Sequence, residues 1–194
     1  MFATSKGASS SSSMIADSNF NYDTLLLNGD GVTNGANNGI FLDSSNNNLS
    51  ITTNGANTTQ GSFSPFGSDW SNYFNGSSYL NAGTSNAFAF GTGNFTVECW
   101  FYDAGTSANA AVLVGATTYG TGTNFQIYYN GSTATPVYYG PTGVSVTSST
   151  TVQRYTWNHI AAVRSGSTVT LYLNGVSVGS ATDANSISST INLM

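Results

Sequence analysis

Residues 157–182 read WNHIAAVRSGSTVTLYLNGVSVGSAT. His159 to Arg164 turns through Ser165-Gly166-Ser167 into Val169 to Leu173, which turns through Asn174-Gly175 into Val176 to Ala181. Asn-Gly between two strand-like segments is a strong hairpin signal, because both central residues of the tight turn need positive φ. The stretch predicts three antiparallel strands in succession. Upstream, Asn94 to Tyr102 (NFTVECWFY) puts Phe95, Val97, Cys99 and Phe101 on one face of a strand and Thr96, Glu98, Trp100 and Tyr102 on the other. Phe125 to Tyr129 ends at Asn130-Gly131, and Val137 to Tyr139 at Gly140-Pro141. Leu25 to Leu27, Ile40 to Leu42 and Leu49 to Thr53 end in Asn-, Asp- and Gly-rich turns. Short strands with regular turn signals and no helical period predict an all-β, two-sheet antiparallel jelly-roll sandwich.

Composition agrees. Among 194 residues, aromatics make up 13% and charged residues only 6%. The aromatic share supplies the apolar surface that a disordered chain lacks. Lys6, Arg154 and Arg164 are the only fixed cations, and the net charge is −5. A phosphate backbone requires a basic face, so nucleic acid is excluded as the main partner. No stretch is apolar for long enough to span a membrane as a helix. Cys99 is the single cysteine, so stability must come from packing and strand pairing. Residues 1–21 form a Ser-rich arm with few apolar groups, and residues 22–194 form the sandwich. Ordering a residue costs about 1–2 kcal/mol, so the arm is expected on neighbouring chains of an assembly, anchored by Phe2, Met14 and Ile15.

FGTGNFTVECWFY (Phe90 to Tyr102) and the meander from Trp157 to Thr182 resemble the concanavalin A-like, laminin G-like family. LLLNGDG, FLDSSNNN, FSPFGSDWSNYFNGSSYL and FAFGTG resemble the version common in marine phage and environmental sequences. The resemblance covers roughly Tyr22 to the end. It implies a virion structural protein, a capsid decoration or tail appendage that binds surface glycans, with other virion proteins and copies of itself as partners. Such a protein assembles in the host cytoplasm. A free-standing lectin module is the alternative. The family pattern continues with one more strand after the point where this sequence ends at Met194, so a last strand is expected to be missing from the chain.

The fold also hosts glycoside hydrolases, which in the retaining case need two carboxyls about 5–5.5 Å apart. Glu98 is the only glutamate, and Thr96, Trp100 and Tyr102 are its neighbours on the strand face. No carboxylate pair is legible, His159 starts a strand with no nucleophile elbow nearby, and Cys99 lies inside a core strand. The chain is read as no enzyme. Family relatives often hold calcium at a sheet rim, which makes Asp30, Asp43 and Asp69 candidate ligands. The alternative for these loop residues is turn-building by side-chain hydrogen bonds. Sugar recognition needs exposed rings beside planar polar groups. Tyr119, Tyr128 and Tyr138, with Asn124 and Asn130, are the candidates in the middle third. Adjacent tyrosines on a strand face opposite ways, so only one of each pair can line a given face.

Overall fold

The structure, a computed structural model, describes residues 2–3, 19–27, 37–38, 40–55, 58–61, 63–66, 71–105, 110–116, 125–187 and 191–193, of which 2–3, 37–38, 58–61 and 191–193 are described by backbone alone. The strands in chain order are β1 (Phe2–Ala3), β2 (Asn37–Asn38), β3 (Thr52–Asn54), β4 (Thr58–Gly61), β5 (Ser71–Tyr73), β6 (Tyr79–Asn81), β7 (Gly83–Ser85) and β8 (Phe95–Tyr102). They continue with β9 (Ala110–Gly115), β10 (Gln126–Asn130), β11 (Thr135–Tyr139), β12 (Ser145–Thr147), β13 (Trp157–Ser165), β14 (Thr168–Leu173), β15 (Val176–Thr182) and β16 (Ile191–Leu193). Three short 3₁₀ turns, such as Asn86–Phe88, are the only helix among the described residues.

An eight-stranded sheet runs β15-β14-β13-β8-β1-β5-β4-β2, and a four-stranded sheet runs β12-β11-β10-β9. All their pairings are antiparallel, so the expected two-sheet sandwich is present. Its core lies between the sheets. Phe95, Cys99, Phe101, Ile160, Ala162, Val169 and Leu171 come from the large sheet and meet Ile127, Tyr129, Tyr138 and Val146 from the small one. Each fully buried aliphatic side chain here stabilises the fold by about 1.5–3 kcal/mol. Along one side the sheets close on each other: the Ser149 amide donates to the Val178 carbonyl at 2.8 Å. Position 179 must be glycine there, because a Cβ would lie 2.9 Å from Val146 Cγ1 and 3.2 Å from the Thr147 carbonyl.

The predicted meander is β13-β14-β15, and Asn174 and Gly175 both have positive φ, at 50° and 80°. Two predicted strands are absent. Leu25–Leu27 and Ile40–Leu42 make only single bridges, Leu27 with Asp43 and Leu42 with Ser50. The Asp43 carboxylate takes the Leu26 amide, which a ladder would otherwise use, together with the Ser45 and Leu49 amides of the turn that follows. At Phe2–Ala3 the arm departs from expectation. Its Phe2–Ala3 backbone sits in the chain's own large sheet, between β8 and β5, with Phe2 opposite both Phe101 and Asn72. Two strand edges with free amides and carbonyls will take any extended segment within reach, including one from the same chain. Met14 and Ile15 lie outside the described residues.

Candidate functional site

The predicted sugar site is not assembled as expected. Tyr138 points inward: it is fully buried, and its hydroxyl donates to Asp183 Oδ2 at 3.0 Å. It pairs across the small sheet with Ile127 and Val146, both core residues, so it cannot stack on a ligand. Tyr128 takes the opposite, outer face of that sheet, half-buried beside Val137. Asn130 caps the β10–β11 turn, its Oδ1 accepting from the Ser132 amide and hydroxyl and from the Thr133 amide. Its carbonyl is thus committed to the turn. Tyr119 and Asn124 lie outside the described residues.

The calcium reading of Asp43 is overturned in favour of turn-building. Asp43 is buried; its Oδ1 accepts the Leu26 and Ser45 amides, and its Oδ2 accepts the Leu49 amide and the Ser45 hydroxyl. Burial pushes its carboxyl up, but these donors outweigh burial and hold it below the usual carboxylate range. Four donors fill the carboxylate's lone-pair directions and leave none for a cation. Asp30 and Asp69 lie outside the described residues, and among the described residues no three His, Cys, Asp or Glu side chains gather as metal ligands.

A different aromatic group stands on the outer face of the large sheet. Phe95, Cys99 and Phe101 of β8 face the core, so Trp100 and Tyr102 face outward. Across β13, Trp157 pairs with Tyr102 and His159 with Trp100. Phe63 crosses the first pair, 4.8 Å from the Tyr102 ring edge-on and 5.5 Å from Trp157. Phe66 meets Trp100 at 5.5 Å. Because β1 joins Phe101 and Asn72 in one row, Tyr73 of β5 falls in the row of Tyr102. Phe63 and Tyr73 are each 48% exposed. The Trp157 indole N–H is buried without an acceptor.

Two residues before Trp157, in the loop that enters β13, stands Tyr155, which is 68% exposed and has φ of 60°. A non-glycine residue in that region carries strain of about 1–3 kcal/mol and persists only when its surroundings fix it. Here they do. The Tyr155 amide donates to the Asp103 carbonyl at 2.9 Å. The buried Asn158 amide clamps the loop from below, donating to the Gln153 and Thr156 carbonyls. A Cβ at position 105 would run into the Tyr155 hydroxyl, so Gly105, itself at φ 76°, makes the room the ring occupies. Beneath, Tyr129 donates to Asp103 Oδ2 at 2.5 Å, and Arg154 reaches that carboxylate at 3.4 Å and the Gly131 carbonyl at 2.6 Å. Burial, then the Asp103 hydrogen bond, pushes the Tyr129 phenol up to about 12.

Sequence reasoning missed Phe63, Tyr73, Tyr155 and Trp157 as site residues. For Tyr102 and Trp157 a signal existed: a sandwich has two layers, so the second aromatic row of a strand has no core of its own to enter.

Comparison with known proteins supplies the family. A model of the concanavalin A-like lectin/glucanases superfamily matches residues 74–193, more than half of the chain and including the meander and β8. None of the curated proteins matches. Among solved structures, domain 4 of AbnA, a GH43 extracellular arabinanase from Geobacillus stearothermophilus in complex with arabinotriose, superposes with a TM-score of 0.54. The two are 16% identical, and the superposition covers 78% of this chain and 76% of that one, a likeness of fold alone. Sheet order, inward and outward rows and the family match lead to one conclusion: the chain belongs to the concanavalin A-like lectin/glucanase superfamily.

Proposed function

We propose that this domain is a non-catalytic carbohydrate-binding module, carried on a phage virion as a capsid decoration or tail appendage subunit. The observation that carries the sugar reading is the outward row of Trp157 and Tyr102, with Phe63 across them, on a face that the sandwich core does not use. Flat rings with a polar handle suit the apolar face of a pyranose or furanose. The AbnA domain of similar fold, described with arabinotriose, is consistent with such a role.

The non-catalytic half rests on the carboxylates. Glu98 lies 3.4 Å from His159 Nε2, whose hydrogen bond, against an opposing effect of burial, holds the carboxyl below the usual range. A glycosidase general acid needs the opposite shift. Asp103 lies on the inner side, engaged by Tyr129 and the Gly105 amide. The virion setting is supported by the phage-like motifs around Phe63 to Leu80 and Leu25 to Gly31. It implies assembly in the host cytoplasm alongside other virion proteins and further copies of the chain.

The test is a glycan array followed by titration calorimetry on the hits. Phe63→Ala should weaken binding roughly tenfold, from about 1–2 kcal/mol of apolar contact, while the protein stays folded with a modestly lower melting temperature. Equal binding by the variant would remove the platform assignment. Release of reducing sugar that vanishes in Glu98→Gln would overturn the non-catalytic reading. Mass spectrometry of purified particles should find the chain among their proteins.

A further inference from the structure

We propose that the aromatic platform selects neutral glycans and rejects those bearing uronate, sulfate or phosphate groups, an inference that rests on the carbohydrate reading above. An anionic sugar gives up hydration on binding and needs a cation or several convergent donors in return. The chain has three fixed cations, and Lys6 lies outside the described residues. Arg164 is buried, donating to the carbonyls of Gly93, Asn185 and Gly91 with its guanidinium over the Phe95 ring. Its position in the interior removes it from any surface ligand.

Arg154 is nearer the platform, with a side chain 39% exposed, but it is already spent on Asp103 and the Gly131 carbonyl. With its Nε toward Asp103 and an Nη2 proton on the Gly131 carbonyl, the guanidinium is already charge-paired and held in place, so a sulfate would have to compete with Asp103 for it. His159 faces outward beside Trp100, and its Nε2 is directed at Glu98. Glu98 itself is the exposed charge on this face, with a side chain 58% exposed. It stands four residues along β8 from Tyr102, about 13 Å at the rise of an extended strand. A ligand running along the aromatic rows therefore meets a negative charge.

What the platform offers instead suits a neutral sugar. The Trp157 indole N–H is a buried donor without a partner, and one hydroxyl oxygen reaching it would satisfy it. A neutral N–H or O–H donor meets the need of a hydroxyl, while an anion needs charge as well.

The experiment titrates the intact chain with neutral gluco-, galacto-, manno- and arabino-oligosaccharides and with uronate-containing and sulfated oligosaccharides of matching length. Each titration is run between about 20 and 300 mM salt, which spans strong to weak screening. The expected result is binding of at least one neutral series with a Kd constant within about twofold across salt, and at least about tenfold weaker binding of every anionic counterpart. Preference for an anionic series, with affinity falling as salt rises, would overturn the selectivity and leave the carbohydrate reading standing. Binding of neither class would overturn the carbohydrate reading, and this inference with it.

Discussion

The two ends of the sandwich solve the same problem in different ways. Phe95 and Phe101 mark opposite ends of β8, six residues or about 20 Å apart. At each end a core tyrosine must hand its hydroxyl to an acceptor, and at each end an aspartate takes it: Tyr129 to Asp103, Tyr138 to Asp183. At the Asp103 end the arginine goes to the carboxylate and stays part-exposed. At the Asp183 end the carboxylate is fully buried and receives the Asn185 amide and side chain, while Arg164 turns to carbonyls of Gly91, Gly93 and Asn185. One end is therefore a sealed polar plug. The other is an open frame, and it is the one that holds Tyr155 out to solvent. The difference teaches that similar Tyr–Asp chemistry can serve closure at one end and presentation at the other.

The arginines break the comparison most sharply. Arg164→Met takes the donors from the Gly93 and Asn185 carbonyls, while the Gly91 carbonyl keeps the Ile187 amide, so it should cost about 3–5 kcal/mol in urea unfolding. Arg154→Met removes a part-exposed pair and should cost about 1 kcal/mol or less. Equal losses would mean that the Asp103 end is as closed as the other.

Alkali should act on both ends together. Burial, then Asp103, raises the Tyr129 phenol to about 12, and burial, then Asp183, raises that of Tyr138 further. An unfolded tyrosine loses its proton near 10, so above that pH the unfolded chain holds fewer protons than the folded one, and stability falls as pH rises. The contribution is complete below about pH 10 and for Tyr129 is lost by about 12, at a slope of at most about 1.4 kcal/mol per pH unit for one proton. Thermal melts from pH 9 to about 12 should show that decline, and Tyr129→Phe should make it shallower, leaving the part that Tyr138 contributes. A Phe variant with the wild-type slope would refute the assignment.

A smaller effect tests the sealed end alone. A Cβ at position 140 would lie 2.5 Å from Asp183 Oδ2 and 2.8 Å from the Tyr138 hydroxyl, so Gly140→Ala must push that hydrogen bond apart. The expected loss is about 1–3 kcal/mol by chemical unfolding. A neutral result would show that the plug can rearrange.

How much of this was legible in the sequence depends on whether a local rule decided it. The Asn174-Gly175 hairpin and β8 were legible because positive φ and period-two alternation are local. Leu25–Leu27 and Ile40–Leu42 look like strands, yet Asp43 captures the Leu26 amide from seventeen residues away, and no local rule foresees that. The choice between Tyr138 and Tyr139 was likewise hidden: alternation says that one faces inward but not which, and the register with Ile127 and Val146 decides. The outer row was half visible. Trp100 and Tyr102 alternate with core residues as plainly as letters allow, but their partners Trp157 and Phe63 join them only through cross-strand pairing and a loop from far upstream. Nothing in QRYTW marks Tyr155 for positive φ.

Tyr155 gives the smallest and most discriminating test of the open end. Its ring is largely exposed, so trimming it removes little buried area, while its φ of 60° is a conformation that asparagine adopts at lower cost. Tyr155→Asn should therefore raise stability by about 0.5–1 kcal/mol in urea unfolding, since Asn158 and the Asp103 carbonyl hold the loop whatever side chain stands there. If the ring belongs to the sugar platform, the same change should weaken glycan binding about threefold to tenfold. A residue that strains its own backbone and gives nothing to binding would have no counterpart to its cost. Higher stability with undiminished affinity would thus reduce Tyr155 to a turn residue and confine the platform to the strand rows. Lower stability would show instead that the ring is packed onto Gly105 as part of the fold, making this end a second plug rather than an open frame.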